Sequence, residues 1–479
     1  MLAVLGFAPF GFFPFTVFSL AVLFALWLRA EDAWAAARIG WIYGLGLFGA
    51  GIGWIYIALH DYGDMPVILA LLATFLFVAF YALFPALAGY AQAKLHAPVW
   101  VRLALVMPAS WALIEWVRGL AFTGFPWLTL GYSQAAASPL AGYAPVLGVY
   151  GVSLVLAASA GLFALLWLAR WSRQGKTAVL ILAILWISGV TLREVEWTLP
   201  HGEVIKVSLA QGNILQELKF REDKLVQTLE TYRRLVQQSD ARLIVLPETA
   251  IPLMRQEMPE NYAAILRDHV RQNGGDIIVG AFEREHGEYF NSVFTLGTAE
   301  SQSYRKSHLV PFGEFIPLRP VFGWLVNEVL NIPMGDLARG NNFQPPLNVA
   351  GQKVAVNICY EDVFGEEIIR ALPEATLLVN VSNDAWYGNS YASMQHNQIS
   401  QMRALETGRM ILRATNTGVT SFIGRSGRIL LMLPQHEEGE LTGPVQGYTG
   451  STPYVVWGNA MVLGLIGLLL LIAWRLGRR

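Results

Sequence analysis

Cysteine occurs once in the 479 residues, at Cys359. A single thiol excludes an internal disulfide and any zinc site built on cysteine pairs. Charge is scarce as well: Asp, Glu, Lys and Arg make up 14% of the chain, against roughly 25% in an average globular protein, while 54% is hydrophobic. That balance excludes a disordered, a collagen-like or a nucleic-acid-binding chain. GxGxxG, Walker and HExxH signatures are missing, and the eight histidines lie far apart in sequence. Neither a metal nor a cofactor is therefore expected. The sequence also lacks internal repeats and low-complexity segments.

The formal net charge of −1 conceals an asymmetry. Residues 1–193 and 454–479 hold 12 Lys/Arg against 5 Asp/Glu, whereas residues 194–453 hold 22 against 30. A basic, apolar part thus carries an acidic, ordinary-looking module. In the first part, apolar stretches near 12–28, 38–59, 65–90, 99–118, 143–169, 176–192 and 454–474 are long enough to cross a bilayer, which takes about 20 helical residues. Residues 1–10 form either a further short span or one broken helix with 12–28, interrupted at Pro9 and Pro14. The expectation is a polytopic α-helical membrane domain of about eight spans, about seven of them in 1–193 and one at 454–474.

Alternate connections are basic. Arg29 and Arg38, Lys94 and Arg102, then Arg170, Arg173 and Lys176, and finally Arg475, Arg478 and Arg479 mark one side, while the 60–64 and 119–142 connections are nearly free of them. By the positive-inside rule this places residues 200–445 on the non-cytoplasmic face. Within that module short β-branched runs (204–210, 243–246, 276–281, 353–359, 376–381 and 411–414) alternate with amphipathic helical stretches such as 222–239 and 260–273. This pattern predicts an α/β sandwich with layered sheets and its own core.

Three strand ends carry reactive side chains. The run Arg242 to Leu246 leads into Pro247-Glu248, the loop after Tyr304 presents Lys306 and then Glu314, and the run from Lys353 ends on Cys359-Tyr360-Glu361. A thiol nucleophile needs a base to take its proton and a cation to meet the oxyanion that follows its attack. Glu248, Lys306 and Cys359 have those chemistries. The plain alternatives are a small buried hydrophobe, a loop acid and a solvated charge, and the side-chain chemistry alone leaves both readings open.

The neighbours of these residues decide between them. LPETAIP around Glu248, YRKSHLVPFGEFIP around Lys306 and NICYED around Cys359, in that order, resemble the nitrilase superfamily. The opening FAPFGFFP, the segments Glu115-Trp116-Val117-Arg118 and Gly124-Phe125-Pro126-Trp127, Val379 to Trp386 and Arg413 to Gly418 extend the likeness over nearly the whole chain. As a whole the chain resembles the membrane-embedded apolipoprotein N-acyltransferase family. Phe220 departs from the pattern, standing where relatives often carry Trp.

The resemblance implies a nitrilase-like αββα sandwich with Glu248 as base, Lys306 as oxyanion cation and Cys359 as the thioester-forming nucleophile. It further implies that Glu314 orients Lys306 or the incoming amine, that Glu361 steadies the nucleophile turn, and that Asn383 and Trp386 shape the site. The implied donor is a phospholipid, typically phosphatidylethanolamine, and the acceptor is the diacylglyceryl-cysteine that begins an apolipoprotein. The enzyme would work as a monomer in the bacterial inner membrane, with its catalytic domain on the periplasmic side. Two rival functions remain at this stage: a membrane-anchored amidase that passes the thioester to water, and a transporter with an external ligand-binding module.

Lipid contacts are expected in two places. The stretch 312–333, with Phe312, Trp324 and Leu325, is apolar and nearly uncharged, which suits a membrane or ligand contact, or else a helix in the module's own core. Glu115 and Arg118, three residues apart near the outer end of a span, suit a zwitterionic headgroup, or else a simple intrahelical ion pair.

Overall fold

The computed structural model describes residues 1–135, 137–170, 172–316 and 336–478. The apolar runs form helices that start at residues suited to the task. Pro14 opens α1 (Pro14–Leu28), where its missing N–H costs nothing. The Asp32 carboxylate caps α2 (Ala33–Ile52), accepting the Ala35 N–H at 2.7 Å. After α3 (Val67–Lys94), α4 (Val99–Arg118) and α5 (Ala144–Ala169), the Ser172 hydroxyl caps α6 (Arg173–Arg193). Helices α2 and α3 touch at Gly40 and Gly44, where a Cβ would lie 2.3 Å from the Pro85 carbonyl oxygen and 2.7 Å from Ala82 Cα. Small residues four apart allow this close approach of two backbones in a membrane.

The opening residues do not add a separate span. Leu2–Gly6 is a 3-10 helix of five residues packed beside α1, and at about 2 Å per residue it reaches only about a third of a bilayer core. Among the described residues, the expected eight or so spans become six helices long and apolar enough to cross a membrane, plus the 15-residue α1.

The polar module is two stacked sheets. One follows the order β13 (Gly439–Thr449), β1 (Leu199–Gln211), β2 (Leu243–Val245), β4 (Asp276–Glu285), β5 (Glu288–Gly297) and β6 (Ser303–Arg305), with β3 (Ile251–Met254) beside β4. The other runs β12 (Ile429–Met432), β11 (Ser421–Ile423), β10 (Ile411–Thr415), β9 (Leu377–Ser382), β8 (Gln352–Ile358) and β7 (Leu347–Val349). The central strands of each sheet are parallel, which explains their continuous apolar runs. Val207, Leu209, Val245 and Ile278 of the first sheet meet Val356, Ile358, Val379 and Leu412 of the second. The opposite face of the first sheet packs on α7 (Glu222–Gln238) and α8 (Glu260–Gln272) through Tyr232, Leu235, Leu266 and Val270. The second sheet's outer face packs on Ile368, Leu372 and Ala404. The expected αββα sandwich is the observed one.

Helix α9 (Ala392–Thr407) joins the two parts. Ala404 packs on the sheet, whereas Ala392, Ile399, Met402 and Leu405 belong to the apolar core of the membrane helices. Gln395 accepts the indole N–H of Trp127 at 2.8 Å and that of Trp54 at 3.3 Å, and donates to the Gly51 carbonyl. The chain ends in a short helix, Pro453–Trp457, and, after a break at Gly458, α10 (Ala460–Gly477).

Candidate active site

Strand β2 leads through Leu246 and Pro247 to Glu248, which is buried. Its Oε1 accepts the Asn291 amide of β5 at 2.6 Å and lies 3.6 Å from Lys306 Nζ; its Oε2 accepts the Asn383 backbone N–H at 2.8 Å. Lys306 follows β6 and is 1% exposed. It donates to Glu314 Oε1 at 2.9 Å, and the Asn291 amide reaches the same oxygen at 3.0 Å. The other Glu314 oxygen accepts the Val310 N–H at 2.8 Å. One lysine and one asparagine thus hold two carboxylates in a fixed relation.

Cys359 is the residue after β8, with φ +53°. A left-handed backbone at a non-glycine residue costs on the order of 1–3 kcal/mol and persists only where the surroundings impose it. Glu361 imposes it. Its Oε2 accepts the Ile358 N–H at 2.7 Å and the Tyr304 hydroxyl at 2.9 Å; its Oε1 accepts the N–H groups of Ser307 at 2.6 Å and His308 at 3.1 Å. The Asn380 amide donates to the Cys359 carbonyl at 3.1 Å. Glu361 therefore ties the cysteine turn to the two residues after Lys306, which sets the thiol against the cation.

Charge at the site is strongly coupled. Burial pushes the Cys359 thiol well up and the Glu248 charge adds to this, while Lys306 pulls the other way. Burial alone would strip Lys306 of its proton, but Glu314 and Glu248 reverse that and hold the ammonium above the usual lysine range. The resting state therefore has a protonated thiol and a charged lysine.

The structure brings Glu248, Lys306, Cys359, Glu314, Glu361 and Asn383 into one hydrogen-bonded and charge-coupled group. Asn383 also donates from its amide to Gln216 at 2.8 Å. Trp386 is 43% exposed and sits edge-on to Tyr62 of the connection between α2 and α3. Phe312 is half exposed on the loop after Lys306. Trp324 and Leu325 lie outside the described residues. Glu115 and Arg118 are buried in the membrane part. Arg118 donates to the carbonyls of Phe125 and Trp127, both at 2.6 Å, and Glu115 accepts the Leu130 N–H at 2.9 Å. Both fasten the 125–130 segment. Among the described residues no group of three or more His, Cys, Asp and Glu is placed to hold a metal ion.

Two family models cover most of the chain: the apolipoprotein N-acyltransferase N-terminal domain matches residues 1–162 and the carbon-nitrogen hydrolase domain matches residues 206–454. The apolipoprotein N-acyltransferase of Nitrosomonas europaea is 53% identical over 98% of this chain and 94% of its own length. That of Methylococcus capsulatus is 45% identical over 96% and 91%. The chain belongs to the apolipoprotein N-acyltransferase family. It is an acyltransferase of the carbon-nitrogen hydrolase superfamily. Among solved structures, a CN-hydrolase superfamily protein of Xanthomonas campestris aligns at 17% identity with a TM-score of 0.39, covering 56% of this chain.

Within this family member, sequence reading missed Lys219 and Asn291. Lys219 is 2% exposed and donates to the Glu248 carbonyl at 3.0 Å. Burial lowers it to about 8, against the partial support of Glu248 and Cys359. Nothing in the polar run Gln216 to Lys219 distinguishes it from a surface lysine. Nor does Asn291 stand out, because Tyr289 and Thr295 share its face of the strand.

Proposed function

We propose that this chain transfers a fatty acyl group from a phospholipid, phosphatidylethanolamine above all, to the α-amino group of the S-diacylglyceryl-cysteine that begins an apolipoprotein. It does so as a monomer, with the catalytic module on the periplasmic face of the inner membrane. In the first half-reaction the Cys359 proton passes to Glu248 as sulfur bonds to the ester carbonyl carbon. Lys306 and the N–H of Tyr360 meet the oxyanion; such a donor is typically worth about 2.7–4 kcal/mol. The ester C–O bond then breaks, and Glu248 returns the proton to the lysophospholipid oxygen. In the second half the neutral amine attacks the thioester, Glu248 takes the surplus proton, and the departing thiolate receives it. Both halves return Glu248 to its carboxylate. Glu314 keeps Lys306 charged and aimed, Glu361 holds the cysteine turn, and Asn383 fixes Glu248, while Trp386 and Phe312 face the acyl chain.

The observation that carries this reading is the attachment of the nucleophile turn to the membrane part. Tyr360, next to the thiol, donates to the Gly124 carbonyl at 3.0 Å, and Tyr132 donates to the Val363 carbonyl at 3.1 Å. A soluble amide substrate gives no reason for this. Drawing an acyl chain into water costs about 0.8 kcal/mol per CH₂, and a nucleophile held against the membrane helices avoids that cost.

Purified protein incubated with labelled phospholipid should show an acyl adduct on the Cys359 peptide by mass spectrometry. A diacylglyceryl-cysteine peptide with a free amine should discharge it, and the N-acetylated peptide should not. Steady release of free fatty acid, unaffected by the amine, would establish a hydrolase instead.

A further inference from the structure

Behind the nucleophile turn lies a cluster that the mechanism above does not use. Asp362 of that turn, Asp384 of the turn after β9, His396 of α9 and Arg413 of β10 are each no more than 1% exposed. His396 Nδ1 is 3.0 Å from Asp384 Oδ1, and its Nε2 is 2.8 Å from Asp362 Oδ1. Arg413 donates to the remaining oxygens, at 2.9 Å to Asp384 and 3.2 Å to Asp362. The hydroxyls of Ser400 and Ser382 donate to Asp362 and Asp384 respectively.

A carboxylate accepts and cannot donate, so each ring nitrogen facing one must carry a hydrogen. A neutral imidazole would set a bare lone pair against a buried carboxylate oxygen, leaving that ring nitrogen unsatisfied. Charge agrees with this hydrogen count. Two carboxylates are balanced by Arg413 and His396 only if the ring is charged. Burial and Arg413 press the ring towards neutrality, and the two carboxylates more than reverse them. The remaining neighbour is Trp127 of the membrane part, its ring 5.3 Å from the imidazole, a contact whose π face also favours a cation.

The cluster bridges the two turns that matter. Asp362 lies three residues beyond Cys359, and Asp384 follows Asn383, whose N–H holds Glu248. Arg413 also donates at 2.6 Å to Asn380, the residue bonded to the Cys359 carbonyl. We propose that His396 is a permanently charged imidazolium that acts as a positioning residue, clamping the Cys359 turn to the Asn383 turn and so fixing nucleophile against base. The rate consequence rests on the acyl transfer proposed above; the charge state does not.

The charge state is read on the full chain in lipid nanodiscs with ¹⁵N-labelled histidine, the His396 signals being those missing from His396→Gln. Both ring nitrogens should stay protonated through the range in which a free imidazole, at ~6.5, gives up one proton. Loss of a proton between pH 6 and 8 overturns the proposal. Positioning is read by alkylation of Cys359, the only thiol, and by thioester formation. His396→Gln should slow both about 100-fold, the effect of roughly 1 Å of misplacement, with the KM for phospholipid within threefold of the parent. Adding Asp362→Asn restores neutrality, so the double variant should regain at least tenfold over His396→Gln. A single variant within threefold of the parent, or a double variant no faster than the single, refutes the clamp. If the parent protein forms no thioester at all, the acyl-transfer reading fails, while the nitrogen signals and the alkylation rates still decide on His396.

Discussion

At the scale of the residue, the proposed mechanism separates groups that react from groups that hold them. Cys359→Ala should abolish the acyl adduct, since no second thiol exists, and Cys359→Ser should fare little better because a hydroxyl is far harder to deprotonate. Lys306→Ala should slow thioester formation by about 10²–10³, the usual loss on removing an oxyanion donor. Glu248→Gln should cost about 10²–10⁴ as the base disappears. Single-turnover acylation of folded variants checks all of these, and a rate within tenfold of the parent removes that residue from the reacting set. The residues proposed to react were legible because each lies within a long motif, Glu248 and Cys359 also at the end of an apolar strand. Lys219 and Asn291 were not, because what distinguishes them is burial beside Glu248, which only the tertiary fold creates. His396 was hidden for the same reason: its partners Asp362, Asp384 and Arg413 come from three other segments of the chain.

At the scale of the element, α9 was the least legible part of the fold. Amphipathic periodicity reveals α7 and α8, which have one wet face. Helix α9 has none: every residue of Ala392–Thr407 except Met394 is buried, and its Gln, Asn, His, Arg and Glu side chains point into networks rather than solvent. Strands β3, β5, β6, β7 and β11–β13 escaped for a different reason, being short or antiparallel pieces whose pairing depends on distant partners. Glu406 shows what α9 does. Helix α5 breaks at Gly148, with φ +67°, and Glu406 Oε1 accepts the buried Val149 N–H at 2.7 Å and Arg403 at 2.9 Å. Burial raises its carboxyl to about 7, partly offset by Arg403. An unfolded glutamate titrates near 4.3, so the folded state binds this proton more tightly. Its contribution to stability is full below about pH 4, falls as the pH rises towards 7 and is level beyond, a loss of about 4 kcal/mol. Glu406→Gln keeps the acceptor for Val149 and should flatten this decline. Thermal unfolding in detergent at pH 5 and pH 7.5 checks it: the parent should lose more stability between the two than the variant, and equal losses would refute the assignment.

At the scale of the whole molecule, the proposed orientation rests on charge at the helix ends. Two arginines stand on the side that the alternation marks as outward, Arg118 at the end of α4 and Arg193 at the end of α6, and they look like exceptions to the positive-inside rule. The structure accounts for both. Arg118 is buried with its donors on the Phe125 and Trp127 carbonyls, and Arg193 donates to the Ser138 carbonyl at 3.0 Å. Each is consumed in holding the 119–142 connection to a helix. By contrast Arg173 sits exposed at the start of α6, with Arg170 just before it. The 21 residues of α6 span about 31 Å at 1.5 Å per residue, the thickness of a bilayer core. Residue 173 and the first strand of the catalytic module therefore lie on opposite sides if α6 crosses. An alkaline phosphatase fused after Pro200 should be active, since that enzyme works only in the oxidising periplasm, and one fused after Arg173 should be inactive; fluorescent-protein fusions at the same points should give the reverse. Arg118→Gln and Arg193→Gln should leave the pattern unchanged, because neither charge is free to retain a loop in the cytoplasm. Activity of both phosphatase fusions, or of neither, would overturn the orientation and with it the placing of the thioester chemistry on the outer face.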